Sequence, residues 1–162
     1  KMYAYQFEGY WKDVGTIQSL WQANMDLLGE NPEFSFHDEK WRIFTRHETL
    51  PPQFIGDGAK IKNSIITEGC EIYGTVENSV LFSGVKVMPG AVVRDSVVMD
   101  STQVGSDSRV SYSIIDSNVK IGDGASVGGE KGADGGLAVI GEGQSIGDGE
   151  KIEAGVMIPD LR

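Results

Sequence analysis

Residues 115–127 read Ile115-Asp116-Ser117-Asn118-Val119-Lys120-Ile121-Gly122-Asp123-Gly124-Ala125-Ser126-Val127. An aliphatic side chain returns every six residues, at 115, 121 and 127, with Gly122-Asp123-Gly124 directly after the middle one. Traced back along the chain, the marks fall at 81, 87, 93, 98, 104 and 110, in steps of six, six and five. Ile66–Ile72, Leu81–Val87, Val98–Val104 and Ile115–Ile121 align with aliphatic residues at both ends and Cys70, Val85, Thr102 and Val119 in one interior column. A serine followed by a β-branched residue precedes each segment: Ser64-Ile65, Ser79-Val80, Ser96-Val97 and Ser113-Ile114, with the serines 15, 17 and 17 residues apart.

A step near six is one short strand plus a turn, and three such hexads close a triangular coil. The aliphatic residues point into the triangle, while Gly, Asn and Asp supply the unusual backbone angles of its corners. One coil cannot bury its apolar face alone, so coils stack and pair their strands in parallel. Six or so coils at the spacing of adjacent strands form a rod about 30 Å long. The four serines fall in register and are expected to form a structural ladder of hydroxyls. The pattern breaks at Gly128–Gly136 and resumes at Ile140, Ile146, Ile152 and Ile158. A stretch so rich in glycine reads as an excursion from one corner, an ordinary exposed loop or else part of a ligand or subunit contact. No helix signal follows it, so it is not a phosphate loop.

The chain has 162 residues and a net charge of −10, which makes it a poor partner for nucleic acid or an anionic membrane surface. No apolar run exceeds four residues, which excludes a membrane-spanning helix. The single cysteine, Cys70, has no internal partner, as expected of a protein kept in the reducing cytoplasm. Of the 22 glycines, only Gly9, Gly15 and Gly29 precede residue 53, so the first region is built differently. Lys1-Met2-Tyr3-Ala4-Tyr5-Gln6-Phe7 alternates like a strand entered midway, as in a piece of a longer protein. Thr16 is a helix N-cap, Ile17, Leu20, Trp21, Met25 and Leu28 have helical spacing, and Gly29 is the stop. Pro32, the apolar residues Phe34, Phe36, Trp41, Ile43 and Phe44, and Pro51-Pro52 mark a linker that packs on its neighbours.

Two chemistries common on hexapeptide coils, acyl transfer and zinc-dependent hydration, need histidine as general base or metal ligand. The coils contain none, and His37 and His47 stand apart before them as ordinary linker residues. Cys70 lies in an inward column and reads as a small buried hydrophobe. The dense constellation is Gly9-Tyr10-Trp11-Lys12-Asp13-Val14-Gly15-Thr16, with Asp13 three residues before the N-cap at a strand-to-helix junction. A carboxylate there either holds a divalent cation beside a helix N-terminus that favours phosphate, or caps a turn.

This segment resembles the W-x-D-x-G-T signature that closes the catalytic domain of sugar-phosphate nucleotidyltransferases. The run from Gly9 to Leu28, together with Pro51-Pro52-Gln53-Phe54-Ile55, Glu68-Gly69-Cys70 and Ser79–Val85, is similar to the bacterial glucose-1-phosphate adenylyltransferase family. That resemblance implies a mainly β chain: residues 1–30 as a strand-helix remnant of an α/β nucleotidyltransferase domain, 31–53 as linker, and 54–162 as a left-handed parallel β-helix. It implies that ATP and glucose 1-phosphate give ADP-glucose and pyrophosphate, the step that commits glucose to glycogen. It further implies Asp13 as a catalytic residue and one of two Mg²⁺-binding aspartates, with Trp11 in the substrate site. The family's nucleotide loop and second aspartate have no counterpart in these residues, so the fragment alone is expected to be inactive. The β-helix serves that family in homotetramer assembly and allosteric regulation. A nucleotidyltransferase making GDP-mannose or a UDP-sugar, and an assembly module without catalysis, are the alternatives.

Overall fold

The structure, a computed structural model, describes residues 1–36, 40, 43, 49–132 and 134–159. From Phe54 onward the chain winds through short strands of two or three residues, each paired in parallel with the strands one coil before and after it, or with one of them at the ends of the stack. Three six-stranded sheets result. The first stacks Phe54–Ile55, Glu71–Ile72, Lys86–Val87, Gln103–Val104, Lys120–Ile121 and Ser145–Ile146. The second runs from Lys60–Lys62 to Lys151–Ile152, and the third from Ile65–Ile66 to Met157–Ile158. This three-faced parallel solenoid of hexapeptide repeats has the architecture of a left-handed β-helix.

The repeat marks are the core. Leu81, Val87, Val93, Val98, Val104, Val110, Ile115, Ile121 and Val127 are all buried. Register keeps them in columns: Ile72, Val87, Val104, Ile121 and Ile146 sit directly above one another on the first sheet. Cys70 is also inside, and its Sγ donates to the Phe82 carbonyl at 3.1 Å. Burial pushes its thiol pKa up, which leaves it a packed apolar group rather than a nucleophile.

The serines form the expected ladder. Each hydroxyl donates to the carbonyl two residues earlier: Ser64 to Lys62, Ser79 to Glu77, Ser96 to Arg94 and Ser113 to Ser111, at 2.7–2.8 Å. The same oxygens accept from the next coil, where the amides of Ser79, Ser96 and Ser113 each lie 3.2 Å from the serine below. Ser79, Ser96 and Ser113 are wholly buried, so the column satisfies backbone groups where the chain leaves one sheet for the next. The residue before each serine turns that corner with positive φ: Asn63 45°, Asn78 45°, Asp95 49° and Tyr112 45°.

One helix lies outside the solenoid. α1, Ile17–Met25, starts at Thr16, whose Oγ1 accepts from the Ser19 amide while the Ser19 hydroxyl accepts from the Thr16 amide. This reciprocal cap satisfies two donors that a helix start leaves open. The helix ends at Asp26, short of Leu28, and tight turns carry the chain to Gly29 at φ 104°. Trp21, Ile17, Leu20 and Met25 pack α1 on the outside of the third sheet, against Val97, Ile114 and Leu137.

The expectation for the leading residues changes. Lys1–Phe7 form no strand; Met2, Tyr3 and Tyr5 are almost fully exposed, because no strand among the described residues pairs with them. The glycine-rich excursion is exposed as expected, at Glu130, Lys131, Gly132, Asp134, Gly135 and Gly136, and its two ends are fixed. Gly128 completes the strand Ser126–Gly128, Leu137 is buried, and a side chain at Gly135 would come within 2.8 Å of the Ala154 Cβ. Its glycines permit close approach to the next coil. His37, His47, Trp41 and Phe44 lie outside the described residues, whereas Phe34 stacks on Tyr10 at 5.9 Å and Phe36 meets Phe34 edge-on. Among the described residues no helix is long and apolar enough to cross a membrane.

Candidate functional site

The segment Gly9–Thr16 leads into α1 without regular structure of its own. Within it, Asp13 Oδ1 accepts from the Gly15 amide at 2.9 Å, a local turn that brings the chain to the Thr16 cap. Among the described residues the second carboxylate oxygen of Asp13 meets no hydrogen-bond donor. The residue is exposed, as is Trp11 at 75%. Among the described residues no group of three acidic, histidine or cysteine side chains converges as a metal cage. Asp13 can therefore contribute one oxygen to a cation, but not a complete coordination sphere. The turn-capping role and the availability of a free oxygen coexist in the same side chain.

What fixes this segment is a network that the sequence reading missed. Asp26, at the far end of α1, accepts from Lys12 Nζ at 2.8 Å, Gln22 Nε2 at 2.7 Å and the Tyr10 hydroxyl at 3.1 Å. Burial by itself would push the Asp26 carboxyl up, but the hydrogen bonds from Lys12, Gln22 and Tyr10 outweigh it and hold its pKa below the usual value. Lys12 is raised in return, chiefly by its hydrogen bond to Asp26. Tyr10 is raised by burial and by its bond to the same carboxylate. The residues on either side of Trp11 are thus tied to one anchor. The Gln22–Asp26 part was readable as a pair four apart on one helix face. The link from Asp26 back to Tyr10 and Lys12 crosses 16 and 14 residues and follows no period.

Beside this network an open cleft of about 410 Å³ is lined by Tyr10, Trp11, Lys12, Asn24, Leu27 and Phe34, among others. It combines aromatic walls with a lysine and an amide, a lining suited to a polar ligand held against an aromatic face. Asp13 does not line it. The structure therefore brings Trp11 to the cleft and leaves Asp13 at the adjoining turn.

Comparison with known proteins covers both regions. The family profile described as GlmU-like, C-terminal hexapeptide matches residues 51–146, and that described as nucleotidyl transferase matches residues 1–30. The chain is 43% identical over 166 residues to the glucose-1-phosphate adenylyltransferase of Acetivibrio thermocellus, across 97% of this chain and 39% of that protein. It is 46% identical over 144 residues to the enzyme of the same name from Bacillus mycoides, across 89% of this chain and 38% of that one. With the Fervidobacterium nodosum enzyme of that name the identity is 47% over 128 residues, across 79% and 31%. The chain thus spans at most 39% of the length of these relatives.

Proposed function

We propose, from the premise that this chain belongs to the GlmU-like C-terminal hexapeptide family, that it is the carboxyl-terminal part of a glucose-1-phosphate adenylyltransferase. The observation that carries this reading is the 43% identity running through 97% of the chain, across α1 and the coils alike. In this reading residues 1–30 close a catalytic nucleotidyltransferase domain, 31–53 link, and 54–162 form the β-helix domain. The whole protein joins ATP and glucose 1-phosphate into ADP-glucose and pyrophosphate for glycogen synthesis in the cytoplasm. Its β-helices serve assembly, as a homotetramer, and allosteric regulation.

The chain's own contribution to the chemistry is positional. Asp13 is held by the Gly15 amide through one oxygen, leaving the other for a Mg²⁺ ion whose remaining ligands come from the longer protein. When bound, the ion offsets negative charge on the attacking and leaving oxygens of phosphoryl transfer. Trp11 offers an aromatic wall to the sugar phosphate, held between two residues that Asp26 anchors.

The test is an assay of the whole protein with Mg²⁺ and glucose 1-phosphate. ADP-glucose is expected from ATP, with GTP and UTP poor substitutes, and no product is expected from the 162-residue chain alone. Asp13→Asn should lower turnover about 10²–10³-fold, the loss typical of one preorganised electrostatic contact. Its thermal unfolding should be nearly unchanged. Unchanged turnover and Mg²⁺ dependence would remove Asp13 from the site.

A further inference from the structure

Trp21 is the one side chain of α1 buried almost completely, at 1% exposure, and it is held on three sides. Its indole Nε1 donates to the Asp95 carbonyl at 2.8 Å. The Tyr112 ring meets it edge-on with centroids 5.0 Å apart, and the Tyr112 hydroxyl donates to Gln18 on the same helix at 3.2 Å. Lys131, from the glycine-rich excursion, places its ammonium 4.8 Å from the centre of the Trp21 ring. The socket is therefore built from two successive corners of one column and from the excursion.

The corner residues themselves are informative. Asp95 and Tyr112 occupy the positive-φ position before the ladder serines, where earlier coils carry Asn63 and Asn78. Asn and Asp tolerate that conformation, whereas a tyrosine with φ 45° is strained. Strain of this kind persists where the surroundings fix it, and it gathers at sites with a task beyond folding. The Tyr112 ring lies outside the solenoid's inner core, in the cluster that packs α1 on the third sheet, and it meets Trp21 and Gln18. The excursion is braced on its other side, since a Cβ on Gly155 would collide with the Gly135 carbonyl. Lys131 thus reaches α1 from a segment seated on the last coil.

We propose that Tyr112 and Lys131 are positioning residues: the socket they form around Trp21 lets the β-helix set the placement of α1, and through it the Thr16 cap and the Asp13 turn. The proposal rests on the adenylyltransferase reading only for the reaction whose site is positioned; the mechanical coupling stands apart from it. Asp13, Gly15 and Thr16 feed directly into the first turn of α1, and Gln18 and Trp21 follow within that helix. Fixing the helix on the solenoid therefore fixes the turn that holds the carboxylate.

The experiment uses Tyr112→Asn, Lys131→Met and Lys131→Arg, read first by amide and indole hydrogen exchange in the 162-residue chain. Tyr112→Asn restores the residue found at the same corner in earlier coils, so the solenoid should be no less stable. Exchange at Gly15, Ser19 and the Trp21 indole should nevertheless rise tenfold or more, while amides such as Val98 and Val104 stay protected. Lys131→Met should act in the same direction by a few fold, and Lys131→Arg should restore protection, since guanidinium also sits over an indole face. In the whole enzyme the first two variants should lower kcat several-fold, with KM for both substrates within about twofold. Unchanged exchange at residues 15–21, or an equal rise throughout the solenoid, would overturn the proposal, as would looser α1 amides with unchanged kcat. A whole protein that makes no ADP-glucose would defeat the functional reading while leaving the exchange result to decide the coupling.

Discussion

The solenoid and the segment that precedes it solve the same problem in opposite ways. Between Phe54 and Ile158 each strand is two or three residues long and would be worthless alone, yet each finds its hydrogen-bond partners one coil away. The leading residues are as apolar, but Met2, Tyr3, Tyr5 and Phe7 pair with no strand among the described residues and stay exposed. By contrast α1 caps its own start and lays Trp21 on the third sheet, and Asp26 at its end ties down Tyr10 and Lys12. Periodicity matters more than hydrophobicity: a modest aliphatic that recurs in register is buried, and a large aromatic without a register is not.

The sharpest way to break this contrast is to remove bulk from the solenoid's middle. Ile115 is wholly buried between Val98 and Ile140. Ile115→Ala should cost about 2–5 kcal/mol, with little collapse around it because parallel neighbours on both sides hold the backbone. Chemical denaturation of the chain measures it. A loss below 1 kcal/mol would mean that coils relax independently, contrary to the column packing described.

A smaller effect tests the serine column. Ser96 is buried, donates to the Arg94 carbonyl and accepts from the Ser113 amide. Ser96→Ala leaves both groups without that partner and should cost about 1–3 kcal/mol, read by the same denaturation. Ser64, at the exposed end of the ladder, should cost clearly less as alanine.

The smallest effect belongs to the leading segment and depends on pH. Asp26 has a folded-state pKa below its unfolded value, so it adds stability above the unfolded value, near 3.9, that disappears as pH falls through the folded one. Lys12 is raised, so its share is present below the unfolded lysine value, about 10.4, and is lost as pH rises through the folded one. The pair is therefore intact across the neutral range. Asp26→Asn should flatten the acid limb of stability of α1 below about pH 4, measured by exchange at the α1 amides, with the solenoid unaffected.

Much of this was legible beforehand, for reasons tied to particular residues. The inward columns could be read because 81, 87, 93, 98 and their successors recur at the length of one strand and turn. Thr16 could be read because N-capping is local chemistry, and the serine ladder because its members keep a fixed offset from the aliphatic marks. The false strand at Lys1–Phe7 shows the limit of alternation, which describes a strand's faces but not the neighbour it needs. The end of α1 was placed near Leu28, because helical spacing continues past the point where the Asp26 cap stops the helix. The Asp26 anchor and the Trp21 socket depend on chain segments brought together from 14 to 110 residues apart, and no pattern in the sequence marks such meetings. Gly128–Gly136 could be read as an exposed excursion because its glycines break the repeat, but its close approach to Ala154 at Gly135 is set by the next coil and has no mark in the sequence.

The serine column also defines the unit in which this molecule can be edited. Removing residues 96–112 would join Asp95 to Ser113 and bring Ile115 over Leu81, Val119 over Val85, Ile121 over Val87 and Val127 over Val93. Each of those pairs is aliphatic on aliphatic, so the grammar of the solenoid survives the loss of a whole sentence. Deleting one residue inside the coil would instead turn the following side chains to the wrong face. That coil also carries Val97 and Tyr112, outward residues that address α1, so its loss would spare the axis and strip the helix of part of its seat. Coils are interchangeable toward the axis and individual toward the outside, so the rod's length is free of its axial packing and tied only where the helix rests on it.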